Sequence, residues 1–187
     1  MASENNLTAV FTDIANAIRD KKGTINTIKP INMADEINSI QVGDTNFKDL
    51  VERTMTSVDD DTITKVGDNA FRNCNNLTNV KLKSATSLNR YSFQECYKLT
   101  KVDLYLVETI NLQAFYYCQS LTTLILRKTN KVCTLSNTNA LTGTLIATSS
   151  TEGYIYVPDN LVEQYKVATN WSTYASKIKG LSELPTE

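Results

Sequence analysis

The centre of the chain repeats itself every 22 residues. The segment Val66-Gly-Asp-Asn-Ala70-Phe71-Arg-Asn-Cys74-Asn-Asn-Leu77-Thr78-Asn-Val80-Lys-Leu82 aligns without a gap on Leu88 to Leu104, and again on Ile110 to Leu126. Phe71, Phe93 and Phe115 share one column, Cys74, Cys96 and Cys118 the next, and Leu77, Leu99 and Leu121 a third, each leucine followed by a threonine. A single unit of this length cannot enclose its own apolar face. Stacked on copies of itself it shares a continuous core, and each column becomes a ladder of like side chains. The repeat therefore restricts the chain to a solenoid.

Within a unit, two periods alternate. Val80-x-Leu82, Val102-x-Leu104 and Leu124-x-Leu126 place apolar residues two apart, the period of a strand. Three such strands, one coil apart, are expected to pair in parallel. The Ala-Phe-x-x-Cys-x-x-Leu stretch spaces its apolar residues three apart, which suits a helical or 3₁₀ turn. Each coil reads as one strand plus one tight turn, and the fold class as an α/β repeat solenoid of three full coils with degenerate ends.

The pattern Ala-Phe-x-x-Cys-x-x-Leu-Thr-x-Val-x-Leu resembles the BspA-like leucine-rich repeat family, found on bacterial surfaces and in phage proteins. The best-known leucine-rich repeat places Asn or Cys three residues after the last leucine, whereas Ala85, Val107 and Thr129 stand there in this chain. That difference favours the BspA-like class.

The ends of the repeat array are irregular. Stepping back by 22 from the first full coil puts Met55, Val58 and Asp60 in the columns of Leu77, Val80 and Leu82, so residues 44–62 read as an incomplete N-terminal coil. The Asp59-Asp60-Asp61 run lacks the spaced oxygen ligands and glycine of a calcium loop and reads as a solvated turn. Beyond residue 130 the register is expected to persist at Val132, with Asn137 and Ala140 in the Phe and Cys columns. Tyr154-Ile-Tyr-Val-Pro158 alternates like an edge strand ended by proline. Asp159 or Asn160 is placed to cap a helix through Val167, and residues 170–178 suit a further helical turn. The segment from Ile155 to Tyr165 with Asn170-Trp171-Ser-x-Tyr174-Ala resembles the terminal cap of BspA-like proteins, which implies that Tyr165, Trp171 and Tyr174 cover the last coil.

The N-terminal residues follow another rule. Leu7, Val10, Phe11, Ile14, Ala17 and Ile18 recur at helical spacing, with Arg19, Lys21 and Lys22 in the last turn and Gly23 after it. Pro30 and Asn32 announce a second helix with Met33, Ile37 and Ile40 on its apolar face. Two short helices of this kind cannot form a core alone. They serve either as a cover for the first coil or as a docking segment for other subunits. The stretch Ile14-Ala-Asn-Ala-Ile18-Arg-Asp-Lys-Lys-Gly23-Thr, followed by Ile28-Lys-Pro30 and Met33-Ala-Asp-Glu-Ile37, is similar to N-terminal segments of tail, fibre and other virion proteins from phages of Gram-positive hosts. That likeness implies that residues 1–43 are an assembly or attachment segment, with Leu7, Phe11, Ile14, Ile18, Ile37 and Ile40 in a homo-oligomer, a trimer being the favoured form. Residues 44–187 then form the repeat domain: an N-terminal cap over 44–62, repeats over 63–130 and a C-terminal cap over 131–187.

Composition excludes several functions. Lys and Arg number 19 against 20 Asp and Glu, so no charge excess points to nucleic acid or anionic membranes. No apolar run has the length needed to span a bilayer, and the first residues lack the basic and apolar regions of a secretory signal. With no histidine, His-based triads and acid–base catalysis are excluded, and no Walker loop or dinucleotide fingerprint is present. Three of the four cysteines lie in one ladder, a line rather than the tetrahedron a zinc ion needs. They read as small buried hydrophobes, with Cys133 outside the ladder as a candidate for exposure. No cofactor, metal, nucleic acid or membrane insertion is expected, nor enzymatic activity.

The columns between the apolar ladders vary, and these carry any recognition. Tyr105, Ile125 and Arg127 on the strands, with Tyr97 and Tyr117 near the Cys column, are the candidate partner-binding residues, since tyrosine and arginine suit protein or glycan contact. The resemblances imply a virion structural protein that binds other virion proteins or a host surface protein or glycan. A bacterial surface adhesin and an intracellular protein-binding scaffold are the alternatives. If residues 1–43 are an assembly segment, deleting them leaves a folded, monomeric solenoid. Sedimentation checks this: a full-length protein that stays monomeric at high micromolar concentration, or a truncated one that unfolds, overturns it.

Overall fold

The structure is a computed structural model that describes residues 41–42, 45–46, 53–148 and 151–186. The helices read in residues 1–43 lie outside the described residues, apart from Gln41–Val42. There the structure has a short antiparallel pair, β1 (Gln41–Val42) with β2 (Thr45–Asn46).

Parallel pairing at one-coil spacing organises the rest. β3 (Ser57–Asp60), β5 (Asn79–Leu82), β7 (Lys101–Leu104) and β9 (Thr123–Leu126) stack in register, with Val58 opposite Val80, Val80 opposite Val102 and Val102 opposite Leu124. The incomplete coil thus keeps the 22-residue step. The sheet extends through β11 (Tyr154–Val157) to β12 (Ile178–Gly180), for six strands in the order β12-β11-β9-β7-β5-β3. The edge position expected for Tyr154-Val157 is corrected, because β12 pairs on its far side.

A second sheet lies on the opposite wall: β4 (Lys65–Val66), β6 (Ser87–Leu88), β8 (Thr109–Ile110) and β10 (Thr134–Leu135). These two-residue strands carry the Val/Leu/Ile column. Their length is too short for alternation to mark them.

The turn between the walls is not a continuous 3₁₀ helix. Bonds from Cys74 N–H to Phe71 O (3.2 Å) and Leu77 N–H to Cys74 O (3.1 Å) close single turns. Left-handed residues lie inside such turns, each just before the closing residue: Asn69 and Asn73, then Tyr91 and Glu95, then Gln113 and Tyr117, all with φ of 55–61°. Each such non-glycine residue costs on the order of 1 kcal/mol. The conformation aims alternate N–H groups at the next coil, as in Asn73 N–H to Gln94 O (2.9 Å), Phe93 N–H to Ala114 O (2.8 Å) and Glu95 N–H to Tyr116 O (2.8 Å). A third backbone ladder results.

After β9 an insertion shifts the register. Thr134 and Leu135 pair with Thr109 and Ile110, a step of 25, and Phe115 N–H donates to Ala140 O. Leu135, not Val132, therefore continues the Ile110 column. Ala140 continues the Ala114 column, and the buried Leu141 and Thr144 succeed Phe115 and Cys118. Asn137 instead caps the short turn Thr138–Ala140. Gly143 stands in the Tyr117 column with φ of 79°, where an added Cβ would meet Tyr117 at 3.2 Å. The inserted lysines Lys128 and Lys131 both reach Glu108, at 2.6 and 2.8 Å, and draw its carboxyl down to about 2. Stability from this pairing is present above the ordinary glutamate value of 4.5 and is lost as the pH falls through about 2.

One apolar cluster runs from Met55 to Ile178. The rings of Phe71, Phe93 and Phe115 stack nearly parallel at centroid distances of 4.9 and 5.5 Å, one coil apart. Such pairs add about 0.5–1.5 kcal/mol beyond burial. The cysteine ladder has a polar role as well. Cys96 Sγ donates to Phe71 O and Cys118 Sγ to Phe93 O, both at 3.0 Å. The threonine after each leucine donates both N–H and hydroxyl to the preceding threonine's carbonyl, as Thr100 does to Thr78 at 2.8 and 3.0 Å.

Polar groups and aromatics meet the ends. Asp60 is 2% exposed rather than solvated: its Oδ1 accepts from Thr62 N–H (2.6 Å), Thr62 Oγ1 (2.9 Å) and Ile63 N–H (2.7 Å). At the other end Asp159 opens the turn Asp159–Leu161, followed by helix α1 (Val162–Val167). Trp171 Nε1 donates to Cys133 O (2.6 Å), Cys133 N–H to Tyr165 Oη (2.8 Å), Asn170 Nδ2 to Leu135 O (2.8 Å) and Tyr174 Oη to Thr138 O (2.7 Å). Four bonds thus occupy the backbone of the last coil. The exposure expected for Cys133 is corrected: it is buried beneath this cap, and burial pushes its thiol up to about 12.

Ser92 is the odd member of its column. It is fully buried between Ala70 and Ala114 positions, and its hydroxyl has no hydrogen-bond partner. Ser92→Ala is expected to raise stability by about 1 kcal/mol, since an unsatisfied buried hydroxyl is removed without leaving a large void. Denaturant unfolding measures this, and an unchanged or lower midpoint counts against it.

Candidate interaction surface

The strands of the six-stranded sheet turn one row of side chains inward and the other outward, and the outward rows are free of the packing constraint. In register, Asp59, Lys81, Asp103, Ile125 and Tyr156 form one outward column. Its charges alternate over three coils and then give way to apolar residues.

The charged half is internally neutralised. Lys81 Nζ lies 3.3 Å from Asp59 Oδ2, and this contact raises the lysine's proton affinity. Arg127 grips Asp103 with two bonds, Nε to Oδ1 at 2.7 Å and Nη2 to Oδ2 at 2.9 Å. Asp103 is only 6% exposed, and the bidentate fork gives each of its carboxylate oxygens a donor. The same guanidinium stands 5.1 Å from the centre of the Tyr105 ring. Tyr105 is half-buried and held in place by this stack.

These side chains line a groove of about 740 Å³ along the outer face. Asp59, Lys81, Lys101, Asp103, Tyr105 and Arg127 form its floor, and Leu181, Leu184 and Pro185 from the end of the chain form a wall. Of the sequence-predicted partner-binding residues, Tyr105 and Arg127 meet here. Ile125 is not exposed with them: it is fully buried, as is nearly all of Tyr156 beside it, though neither belongs to the interior core. The turn Leu181–Glu183 lies against β11, the strand of Tyr156. Tyr97 and Tyr117 are 40% and 42% exposed. They follow and precede cysteines of the turn ladder and are absent from the groove lining. The oligomerisation residues Leu7, Phe11, Ile14, Ile18, Ile37 and Ile40 lie outside the described residues.

Strand alternation places Lys81 and Asp103 outward; what sequence reasoning missed is their pairing, Lys81 with Asp59 and Asp103 with Arg127. It had no signal for the wall, whose residues belong to no repeat and follow β11, the strand they lie against, only after a helix and another strand. Among the described residues no group of three or more His, Cys, Asp or Glu is placed to hold a metal.

The Asp103 pair makes Arg127 a structural residue as well as a surface one. Arg127→Ala leaves a nearly buried carboxylate without its fork and is expected to cost about 2 kcal/mol. A double-mutant cycle with Asp103→Asn measures the coupling, and a coupling near zero refutes the assignment.

No curated protein matches the chain. A family profile described as BspA type Leucine rich repeat region matches residues 40–152, in six copies. The matched region holds strands β3 to β10, the Phe and Cys ladders and the groove floor, and the chain belongs to the BspA type leucine-rich repeat family.

Proposed function

We propose that this chain is a non-enzymatic structural protein of a phage virion, in a tail, fibre or capsid decoration, whose solenoid contacts a partner or host surface. The observation that carries the binding role is the groove on the outer sheet face. It is a shaped surface of lysine, arginine, aspartate and tyrosine built from columns that the core does not use. Repeat proteins present such faces for recognition because the outward columns vary without cost to the stack. The virion setting is supported by the similarity of the N-terminal stretch around Ile14–Ile37 to virion segments, and attachment or oligomerisation through those residues belongs to the same proposal. A bacterial surface adhesin is the second reading, favoured by membership in the BspA type family.

Recognition is assigned to Lys81, Lys101 and Tyr105 on the groove floor, with Tyr97 and Tyr117 as a separate exposed set. The triple variant Lys81→Ala/Lys101→Ala/Tyr105→Ala is expected to weaken adsorption of the purified protein to host cells or virions by at least about tenfold, equivalent to about 1.4 kcal/mol. Its fold stays intact, because these outward, half-buried side chains take no part in the interior core. Unchanged adsorption with a native circular dichroism spectrum removes the groove from the reading. Immunogold labelling separates the settings: label on purified virions supports the first, and label confined to the cell envelope supports the adhesin.

A further inference from the structure

The end of the chain sits on the face just described. After β12 the chain does not leave the sheet. Gly180 N–H donates to Glu183 Oε1 at 3.1 Å, and Leu184 N–H to Leu181 O at 3.1 Å, folding residues 181–184 into a closed turn. The turn is tied to the body through Asp159, whose Oδ1 accepts from Ser182 Oγ (2.5 Å) and Ser182 N–H (3.3 Å). Gly180 permits that approach, since a Cβ there would lie 2.1 Å from Asp159 Oδ1.

Two further facts show what the turn covers. Ile125 and Tyr156 are 0% and 5% exposed yet lie outside the interior cluster, so their burial comes from the outer side. Leu181 and Leu184 are half-buried and are likewise outside that cluster. The turn packs on β11, the strand of Tyr156, and its leucines with Pro185 wall the groove. The segment thus rests on outward residues, held by leucines three apart, a proline and the polar tether to Asp159. It contributes nothing to the interior core.

We infer that residues 181–186 are a reversible strap, an internal peptide ligand that closes the apolar half of the recognition face and leaves the charged half open. The inference rests on the reading of the outer sheet face as the recognition surface. Lifting the strap joins the Ile125–Tyr156 patch to the Tyr105–Arg127 floor and lengthens the face by two strands. The peptide chemistry that suits the uncovered patch is that of the strap itself, Leu-x-x-Leu-Pro.

The test uses the full chain and a fluorescein-labelled peptide of residues 180–187, so it needs no knowledge of the natural partner. Leu181→Asp/Leu184→Asp is expected to release the strap and to bind the peptide at least ten times more tightly than the wild type, whose own strap competes. Adding Ile125→Ala to that variant is expected to reduce peptide binding several-fold, which localises the seat. Equal binding by wild type and released variant, both with native spectra, overturns the strap. Loss of the fold in the released variant overturns it too, because a segment that folding requires is not a reversible ligand. Peptide binding that survives while the groove-floor triple variant adsorbs normally leaves the strap standing and removes only the functional reading above.

Discussion

Each coil of this protein depends on its neighbours for hydrogen-bond partners. An isolated 22-residue turn would leave the amides and carbonyls of both short strands and of the connecting turn open to water. Stacked in register, they pair coil to coil along three ladders: the six-stranded wall, the four-stranded wall and the left-handed turn between them. Buried backbone groups tolerate almost no exceptions to pairing, so register is a stringent constraint. It explains why like residues recur: Phe on Phe, Cys thiol to the preceding Phe carbonyl, Thr hydroxyl to the preceding Thr carbonyl. It also explains how left-handed tyrosine and glutamate persist. Their unfavourable φ is offset by the inter-coil bond their N–H groups reach.

A stack held in this way has to be closed at its ends. The C-terminal cap supplies large aromatic rings over the apolar column and polar atoms for the backbone edge together. Tyr165 and Trp171 pack edge to face at 5.5 Å, while their polar tips bond Cys133. Burial raises the Tyr165 hydroxyl's proton affinity, which keeps it neutral beneath the cap. The insertion after β9 is absorbed on the second wall and the turn, where Lys128 and Lys131 fold back to Glu108, and the main sheet regains its pairing through β11.

The same regularity frees the outer face. Inward residues are held by the stack, whereas outward ones answer only to each other, so the face can become a charge-alternating floor in one half and an apolar patch in the other. Asp59 pairs with Lys81 and Asp103 with Arg127, so these charges answer to one another across the coils. The strap covers the apolar half, where an open patch of Ile125 and Tyr156 would otherwise invite nonspecific contact.

The 22-residue period alone determined the solenoid, the parallel strands from Val58 to Leu126, the buried Phe, Cys and Leu ladders and the incomplete first coil. Each is a local consequence of spacing, and spacing is visible in a one-dimensional string. The second wall was hidden because two residues carry no alternation, and the left-handed turns because Tyr91, Glu95, Gln113 and Tyr117 carry none of glycine's signal. The step of 25 at Leu135 broke the column on which the reading relied. Tertiary structure alone decided the fate of the outer face. Alternation places Ile125 outward, and so it is. Alternation does not tell whether outward means exposed, and no periodicity reports a contact between non-repeating parts of a chain such as that of Ser182 with Asp159.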